Sequence, residues 1–191
     1  MATAMRERVL QVEPSDVSRL VHPAVARLHF GDENLLAHGV FAVRRGSGIA
    51  VRIVSVALHL PAPTRAAPLA LHIERAGRRE VWHRSFGGRA LDASFERDRP
   101  GEIIEGFGPL RLRYRSRAER GALVLDLRSA FVRIGAVSVD LPRWASPRVR
   151  ARAWVDGDDG LLHACIVVLA PWGGLLLAYR GYLDEVTSWK G

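Results

Sequence analysis

The sequence predicts an α+β fold, a mainly antiparallel β-sheet curved around one helix, with short helices at the N-terminal end. Three observations predict it. Apolar residues recur at helical spacing near the start, one apolar segment at 46–61 carries a helical polar stripe, and from Pro68 onward the period changes to two. Many strands joined by short links are typical of an antiparallel sheet. A closed β-barrel is the alternative architecture.

The N-terminal region predicts a flexible tail over residues 1–14, followed by a single globular domain over 15–191. Apolar residues of "SDVSRLVHPAVARLHF" (15–30) recur at helical spacing, and Pro23 suits the first turn of a second short helix. Two short helices are therefore expected here.

The segment "GSGIAVRIVSVALHLP" (46–61) is rich in β-branched residues, which favour strands. Its polar residues Arg52, Ser55 and His59 are spaced three and four apart, however, and so form one stripe on a helix. Ser47 is placed to cap this helix and Pro61 to follow its end. We predict a helix over 48–59.

From residue 69 onward apolar and polar residues alternate along the chain, as in β-strands. "LALHIERA" (69–76) has one apolar face, and "GRR" turns it into "EVWHRSFGG" (80–88). Further strands are predicted over 90–97, 102–107, 110–117, 122–134, 149–156, 161–170 and 174–183.

The residue patterns of two strands and one loop predict whether each lies at the surface or in the interior. The arginines of 111–117 alternate and so share a face, which predicts a solvent-facing surface. The strand 161–170 is apolar on both faces and is expected to be central, with the helix covering it. In "LPRWASP" (141–147), prolines flank Trp144 and predict a stiff loop that holds one large ring.

The composition limits the classes of binding partner and the cellular compartment that we expect for this protein. The net charge is +8, and all basic residues except Lys190 are arginine, which with the abundant Ala, Val and Gly is typical of a GC-rich bacterial genome. The arginines are spread along the chain, so no nucleic-acid partner is predicted. A single cysteine, Cys165, and a start without the apolar stretch of a signal peptide indicate the cytoplasm. The apolar segment 165–179 is broken at "PWGG" and is too short for a membrane span of about 20 residues.

Strand alternation places one cation among aromatic rings. Trp82, Arg84 and Phe86 share a face, and so do Glu105 and Phe107. If both faces point inward, Arg84 and Glu105 are expected to pair, because an unpaired buried charge costs several kcal/mol. The pair is either a framework that fixes strand register or the base of an apolar cavity, where arginine could bind a carboxylate or phosphate.

Other candidate sites are weaker. His83 and Ser85 share the opposite face, but the sequence offers no carboxylate to orient the histidine and no nucleophile elbow. Histidine spacing and the single cysteine predict no metal site, and no dinucleotide or P-loop fingerprint indicates a cofactor. Arg44, Arg45 and Ser47 precede a helix and form a weak candidate anion site.

Six segments in order resemble a bacterial family of domains of unknown function: "HPAVARLH", "HGVFAVRRGSGIAVRI", "EVWHRSFGG", "EIIEGFGPLRLRY", "LPRWASPRVRA" and "LAPWGGLLLAYRGYL". The family pattern runs Trp-x-Arg-x-Phe, Glu-x-Phe-Gly-Pro, Leu-Pro-x-Trp and Gly-x-Leu-x-x-Tyr-x-Gly. By position it falls on Trp82, Arg84, Phe86, Glu105, Phe107, Gly108, Pro109, Leu141, Pro142, Trp144, Tyr179 and Gly181. The "ASP" after Trp144 departs from the usual leucine-containing loop.

The resemblance covers residues 20–184 and implies no established activity, catalytic residue or cofactor. Members of the family occur alone or behind saccharopine-dehydrogenase-like nucleotide-binding domains, which implies an oxidoreductase-like partner protein.

These observations favour a domain that binds a small apolar or anionic ligand in a pocket with Arg84 and Glu105 at its base, or that serves as an accessory module. The candidate ligand-binding residues are Trp82, Arg84, Phe86, Glu105, Phe107 and Tyr179. The alternatives are an enzyme that acts on a small, anionic, partly apolar substrate with Glu105 as acid or base, and a protein-interaction domain that uses the arginine face of 111–117.

Overall fold

The computed structural model describes residues 14–97 and 101–189, so the predicted tail, apart from Pro14, lies outside the described residues. The helices in this part of the chain are α1 (Pro14–Leu20), α2 (Pro23–Phe30) and α3 (Ile49–Ala57). The strands are β1 (Asn34–Arg45), β2 (Thr64–Ala76), β3 (Arg79–Phe86), β4 (Arg89–Arg97), β5 (Glu102–Phe107), β6 (Leu110–Glu119), β7 (Ala122–Ile134), β8 (Val137–Asp140), β9 (Arg148–Val155), β10 (Leu162–Leu169) and β11 (Leu175–Trp189).

Ten of these strands close into an antiparallel β-barrel. Strands β1 to β7 pair in sequence order, β7 then pairs with β9, and β9, β10 and β11 follow. Strand β11 pairs with β1 along twelve residues of β1, from Asn34↔Trp189 to Arg45↔Leu177, and this closes the ring. Strand β8 pairs with β7 and forms a hairpin arm at one end. The predicted sheet curved around a helix is therefore wrong, and the alternative, a closed barrel, is nearer.

The reason for this error is the position of α3. The segment is helical as predicted, but it crosses one end of the barrel between β1 and β2 and leaves Ile49, Ile53 and Val56 exposed. Inward-facing side chains of the strands line the barrel interior, so the sheet closes on itself without a central helix. The helix begins after Gly48 with no side-chain cap, so the predicted capping by Ser47 is also wrong.

Strand β1 was not predicted, although its burial alternates along most of its length. It lies between β2 and β11. Phe41 sits opposite Gly181, where an added Cβ would lie 2.0 Å from the Val40 carbonyl oxygen and 2.6 Å from the Phe41 ring. Only glycine permits this close approach of the two strands.

Two local expectations need correction, and a third is confirmed. Strand β10 turns Ala164, Ile166 and Val168 inward, but Cys165 on its outer face is only partly buried, so the described residues do not show the expected helix over that face. Trp144 is not held inside its loop but is 79% exposed. The predicted arginine face lies on the outside of β6, where Arg115 is exposed and the others are half-buried.

The barrel has two distinct ends, because its strands alternate in direction. We call the end that carries α1, α2 and the β6–β7 and β9–β10 turns the α2 end; the His22 N–H donates to the Gly121 carbonyl there, at 2.9 Å. The α3 end carries α3, the β5–β6 turn, the β7–β8 hairpin, the loop 141–147 and the β10–β11 turn. Its parts are joined by bonds from Gly46 N to Leu176 O, 3.4 Å, and from Arg133 N to Pro109 O, 2.8 Å.

Among the described helices, none has both the length and the apolar character needed to cross a membrane.

Candidate functional site

The barrel encloses an apolar cavity of about 180 Å³. Most of its lining comes from inward-facing aliphatic and aromatic side chains of the strands. Leu28 and His29 line it at the α2 end, and Leu58 and Leu60 line it at the α3 end. The cavity therefore follows the barrel interior from one end to the other.

Arg84 is the buried cation of this cavity. It lies on β3, where alternate residues point inward, and its side chain is 8% exposed. Its Nε donates to the Leu91 carbonyl at 3.2 Å, its Nη1 to the Tyr179 hydroxyl at 2.9 Å and its Nη2 to Glu105 Oε1 at 3.4 Å. The predicted pairing of Arg84 with Glu105 is thus present in the structure.

Glu105 completes a four-membered polar cluster, which we define as Arg84, Glu105, Tyr114 and Tyr179. The Tyr114 hydroxyl donates to Glu105 Oε2 at 3.0 Å. Burial raises the pKa of the Glu105 carboxyl above its ordinary value, against the opposing effects of Arg84 and Tyr114. The same loss of water raises the pKa of Tyr179, and raises that of Tyr114 well above its usual range with help from the neighbouring carboxylate. With the Arg84–Glu105 pair ionised, the cluster adds no net charge to the cavity.

Aromatic rings surround the cluster. Phe86 and Tyr179 meet edge to face at 5.2 Å between ring centres, and Phe41 packs against both at 6.1 Å. The Arg84 guanidinium lies 5.8 Å from the Phe107 ring centre, within cation–π range. These rings exclude water from the charges and give the cavity an apolar wall.

A second polar cluster fixes α2 to the barrel wall. Glu80 Oε1 accepts from Arg97 at 2.6 Å, its Oε2 accepts from the Trp82 indole at 3.0 Å, and Arg75 Nε lies 3.5 Å away. Arg75 also donates to the carbonyls of Leu28, at 2.5 Å, and Glu33. Arg97 donates to the His29 carbonyl at 3.2 Å. The last turn of α2 is thereby bonded to β2 and β4.

His29 is the titratable group where α2 meets the cavity. Its ring centre lies 5.3 Å from that of Trp82. The loss of water, and after it the positive charges of Arg75 and Arg97, together lower the pKa of His29 to about 4. The neutral imidazole is therefore the form that the folded protein holds at neutral pH.

We expect the barrel to lose stability between pH 6.5 and 4 because of His29. The unfolded chain binds a proton near pH 6.5 and the folded protein only near 4, so the stabilisation is complete above 6.5 and is lost as pH falls. The loss should approach about 3 kcal/mol. Urea unfolding at several pH values should show it in the wild type and in the control His38→Phe, whose side chain is exposed, but not in His29→Phe. Equal pH dependence in all three proteins would contradict this assignment.

All six predicted ligand-binding residues, Trp82, Arg84, Phe86, Glu105, Phe107 and Tyr179, line the cavity. Sequence reasoning missed Tyr114, although the alternation that turns the arginines of β6 outward also turns Tyr114 inward. It missed Glu80 too, which shares the buried face of Trp82 and Arg84. The weak anion candidates Arg44, Arg45 and Ser47 lie at the α3 end and do not line the cavity.

His83 lies on the outer surface of the barrel, as the alternation predicts. Asp92 stands directly across from it on β4, with Nδ1 and Oδ1 3.3 Å apart, so the expectation that no carboxylate would accompany this histidine is wrong. Both side chains are more than 40% exposed. The described residues contain no cluster of three or more His, Cys, Asp or Glu side chains that could hold a metal ion.

A search of the curated proteins found no match to this chain. A family model described as "Domain of unknown function (DUF4166)" matches residues 21–183, which include every residue that lines the cavity. The chain belongs to this family.

Proposed function

We propose that the barrel binds a small, mostly apolar ligand in its interior, with the polar end of the ligand at the cluster of Arg84, Glu105, Tyr114 and Tyr179. The observation that carries this proposal is an apolar cavity of about 180 Å³ beside one buried ion pair. An apolar cavity of roughly 150 Å³ in another protein is large enough for benzene. The ligand is therefore of similar size, a ring or a short chain.

The spare donors of Arg84 define the head group. A guanidinium has five N–H groups, and three nitrogens of Arg84 each use one on the Leu91 carbonyl, Tyr179 and Glu105. The remaining donors can bind a hydroxyl or carbonyl oxygen without a change in charge. A ligand with a carboxylate head group adds a negative charge beside the neutral Arg84–Glu105 pair. Because its pKa is raised, Glu105 is the residue that takes up a proton to balance this charge.

Titration calorimetry with 1-hexanol and hexanoate tests the proposal. We expect both to bind with a negative heat-capacity change, because apolar surface is buried. Hexanoate should bind more weakly as pH rises, by up to about tenfold per unit, since each bound anion brings one proton, whereas hexanol binding should change little. Ala164→Ile narrows the cavity and should weaken both ligands, while His83→Ala on the outer face should not. Heats of binding that Ala164→Ile leaves unchanged would contradict the proposal.

Catalysis is a second candidate function, favoured by one observation. Glu105 is a carboxyl group whose pKa burial raises, next to a cavity large enough for a substrate. Such a group can transfer protons to and from a bound molecule. Deuterium incorporation from solvent into bound 2-hexanone, abolished by Glu105→Gln with binding retained, would move the function from binding to catalysis.

The accessory role fits the same cavity. An oxidoreductase-like partner, which the resemblance of the sequence implies, would act on an apolar substrate that the barrel holds. The arginine face of 111–117 offers less to such a partner, because Arg117 is already paired with Asp126 at 2.9 Å and with Glu119 at 2.5 Å. We therefore propose that the cavity, rather than this arginine face, is the functional feature.

A further inference from the structure

Large apolar side chains are exposed at the α3 end of the barrel. In the described part of the chain, eight such residues, each 60–79% exposed, belong to the connections of this end: Ile49, Ile53, Val56, Ile134, Val137, Val139, Trp144 and Trp172. We call them the apolar rim. A soluble protein rarely collects so many exposed apolar groups on one side unless that side meets a partner.

Ordered backbone holds the two tryptophans outward. The turn that carries Trp172 is closed by bonds from Ala170 N to Gly174 O and from Gly173 N to Ala170 O, both 3.0 Å. In the loop of Trp144, Ala145 N donates to Pro142 O at 2.9 Å and Ser146 Oγ to Leu141 O at 3.2 Å. The exposure of these rings is therefore a property of hydrogen-bonded turns.

Positive charge surrounds the apolar rim. The connections of this end and their flanking residues, described throughout, are 44–65, 86–90, 107–111, 132–148 and 169–177. Their arginines are Arg44, Arg45, Arg52, Arg65, Arg89, Arg111, Arg133, Arg143 and Arg148. Their single acidic residue is Asp140. Any partner of this end must tolerate or complement that charge.

The opposite end differs in both respects. Its described connections carry the acidic residues Asp32, Glu33, Asp156, Asp158 and Asp159 beside their arginines. Among the exposed large apolar residues described, it contributes Leu20 of α1. Within the described ranges, the coincidence of apolar and positive groups is thus confined to one end and does not follow from the arginine-rich composition alone.

We propose that the α3 end docks on the surface of an anionic membrane. Tryptophan, aliphatic side chains and arginine together are the combination that enters the interface of a bilayer, where apolar groups leave water and cations meet lipid headgroups. Single-stranded nucleic acid would engage the two tryptophans but not the six aliphatic groups, because its binding relies on stacking. The proposal does not rest on ligand binding in the cavity.

The docked orientation turns one end of the cavity toward the bilayer. Leu58, Leu60 and Pro147 belong to the α3 end and line the cavity. An apolar molecule that leaves the membrane would thus reach the barrel interior through this end.

Flotation with lipid vesicles tests the proposal. We expect the protein to bind phosphatidylcholine vesicles that contain about one quarter phosphatidylserine, and to bind pure phosphatidylcholine at least tenfold more weakly. Raising the salt from about 0.1 M to 0.5 M should release it, because exposed charges are then screened. Ile53→Ser/Trp144→Ser should lower binding about tenfold or more, and so should Arg52→Glu/Arg143→Glu. These four positions are exposed, so the variants should keep the wild-type unfolding temperature.

The matched control is Arg78→Glu/Arg120→Glu, which makes the same change in charge at the exposed turns of the α2 end. It should bind anionic vesicles as the wild type does. An equal loss in the control, or no binding to anionic vesicles at about 0.15 M salt, overturns the proposal. So does a dimer in gel filtration that Ile53→Ser/Trp144→Ser dissociates, since the rim is then a contact between copies. Tighter retention on an oligonucleotide than on vesicles, lost in the same variant, overturns it as well.

Discussion

Arg84→Ala and Glu105→Ala should each lower the free energy of unfolding by about 3–5 kcal/mol. Both side chains are almost completely buried, at 8% and 11% exposure, and their Nη2 and Oε1 atoms are 3.4 Å apart. Removing either residue leaves the other as an uncompensated charge among aromatic rings. Each change also leaves a tyrosine hydroxyl without its hydrogen-bond partner, because Arg84 donates to Tyr179 and Glu105 accepts from Tyr114.

Urea unfolding of both single variants and of the double variant measures the coupling between them. The double variant should cost clearly less than the sum of the two, since no isolated charge remains. His83→Ala is the matched control on the same strand, and it should cost no more than about 1 kcal/mol because its pair with Asp92 is exposed. A coupling energy near zero would show that the charges interact with water or other groups more strongly than with each other.

Much of the strand content follows from alternation alone. Most strands from β2 onward lie close to their predicted ranges, and Pro23 does begin α2. The exceptions have physical causes. In β1, two of the buried positions are occupied by Ala37 and Gly39, which carry little apolar surface, while the outer face includes the apolar Leu36. The contrast between its two faces is therefore weak in the sequence.

Closure of the barrel could not be predicted from the period of two, because open sheets and barrels share it. Closure depends on pairings between distant residues, such as Asn34 with Trp189 and Leu110 with Val132. The apolar composition of α3 suggested a helix inside the sheet. In the structure that apolar surface belongs to the rim of one end, where Ile49 is 79% exposed. The spacing of the polar residues Arg52, Ser55 and His59 predicted the helix but not its position.

The candidate site was more predictable than the fold around it. Arg84 and Glu105 face inward by alternation, and the cost of an unpaired buried charge makes them partners. Asp92 lies opposite His83 because of the register between β3 and β4. The length of the turn at residues 87 and 88 sets this register. Local patterns show which way a side chain points, whereas register decides which residue it meets.

Glu80→Ala should destabilise the protein by about 3–5 kcal/mol, an effect as large as that at Arg84. The Glu80 side chain is 6% exposed and compensates Arg75, whose own side chain is 3% exposed. Without this carboxylate, Arg75 keeps its bonds to backbone carbonyls of α2 and the following loop but loses its only counter-charge among the described ion pairs, and the Trp82 indole loses its acceptor.

The matched control is Glu74→Ala on the adjacent strand, where the carboxylate is 52% exposed and lies 3.8 Å from His72. It should change the free energy of unfolding by no more than about 0.5 kcal/mol. Glu80→Gln keeps an oxygen for the indole but not the charge, so its cost separates the ion pairs from the hydrogen bond. Hydrogen exchange should accelerate in α2 in both Glu80 variants, because Arg75 and Arg97 bond the last turn of that helix to the barrel wall. Equal unfolding free energies for Glu80→Ala and Glu74→Ala would mean that water, not Glu80, compensates Arg75.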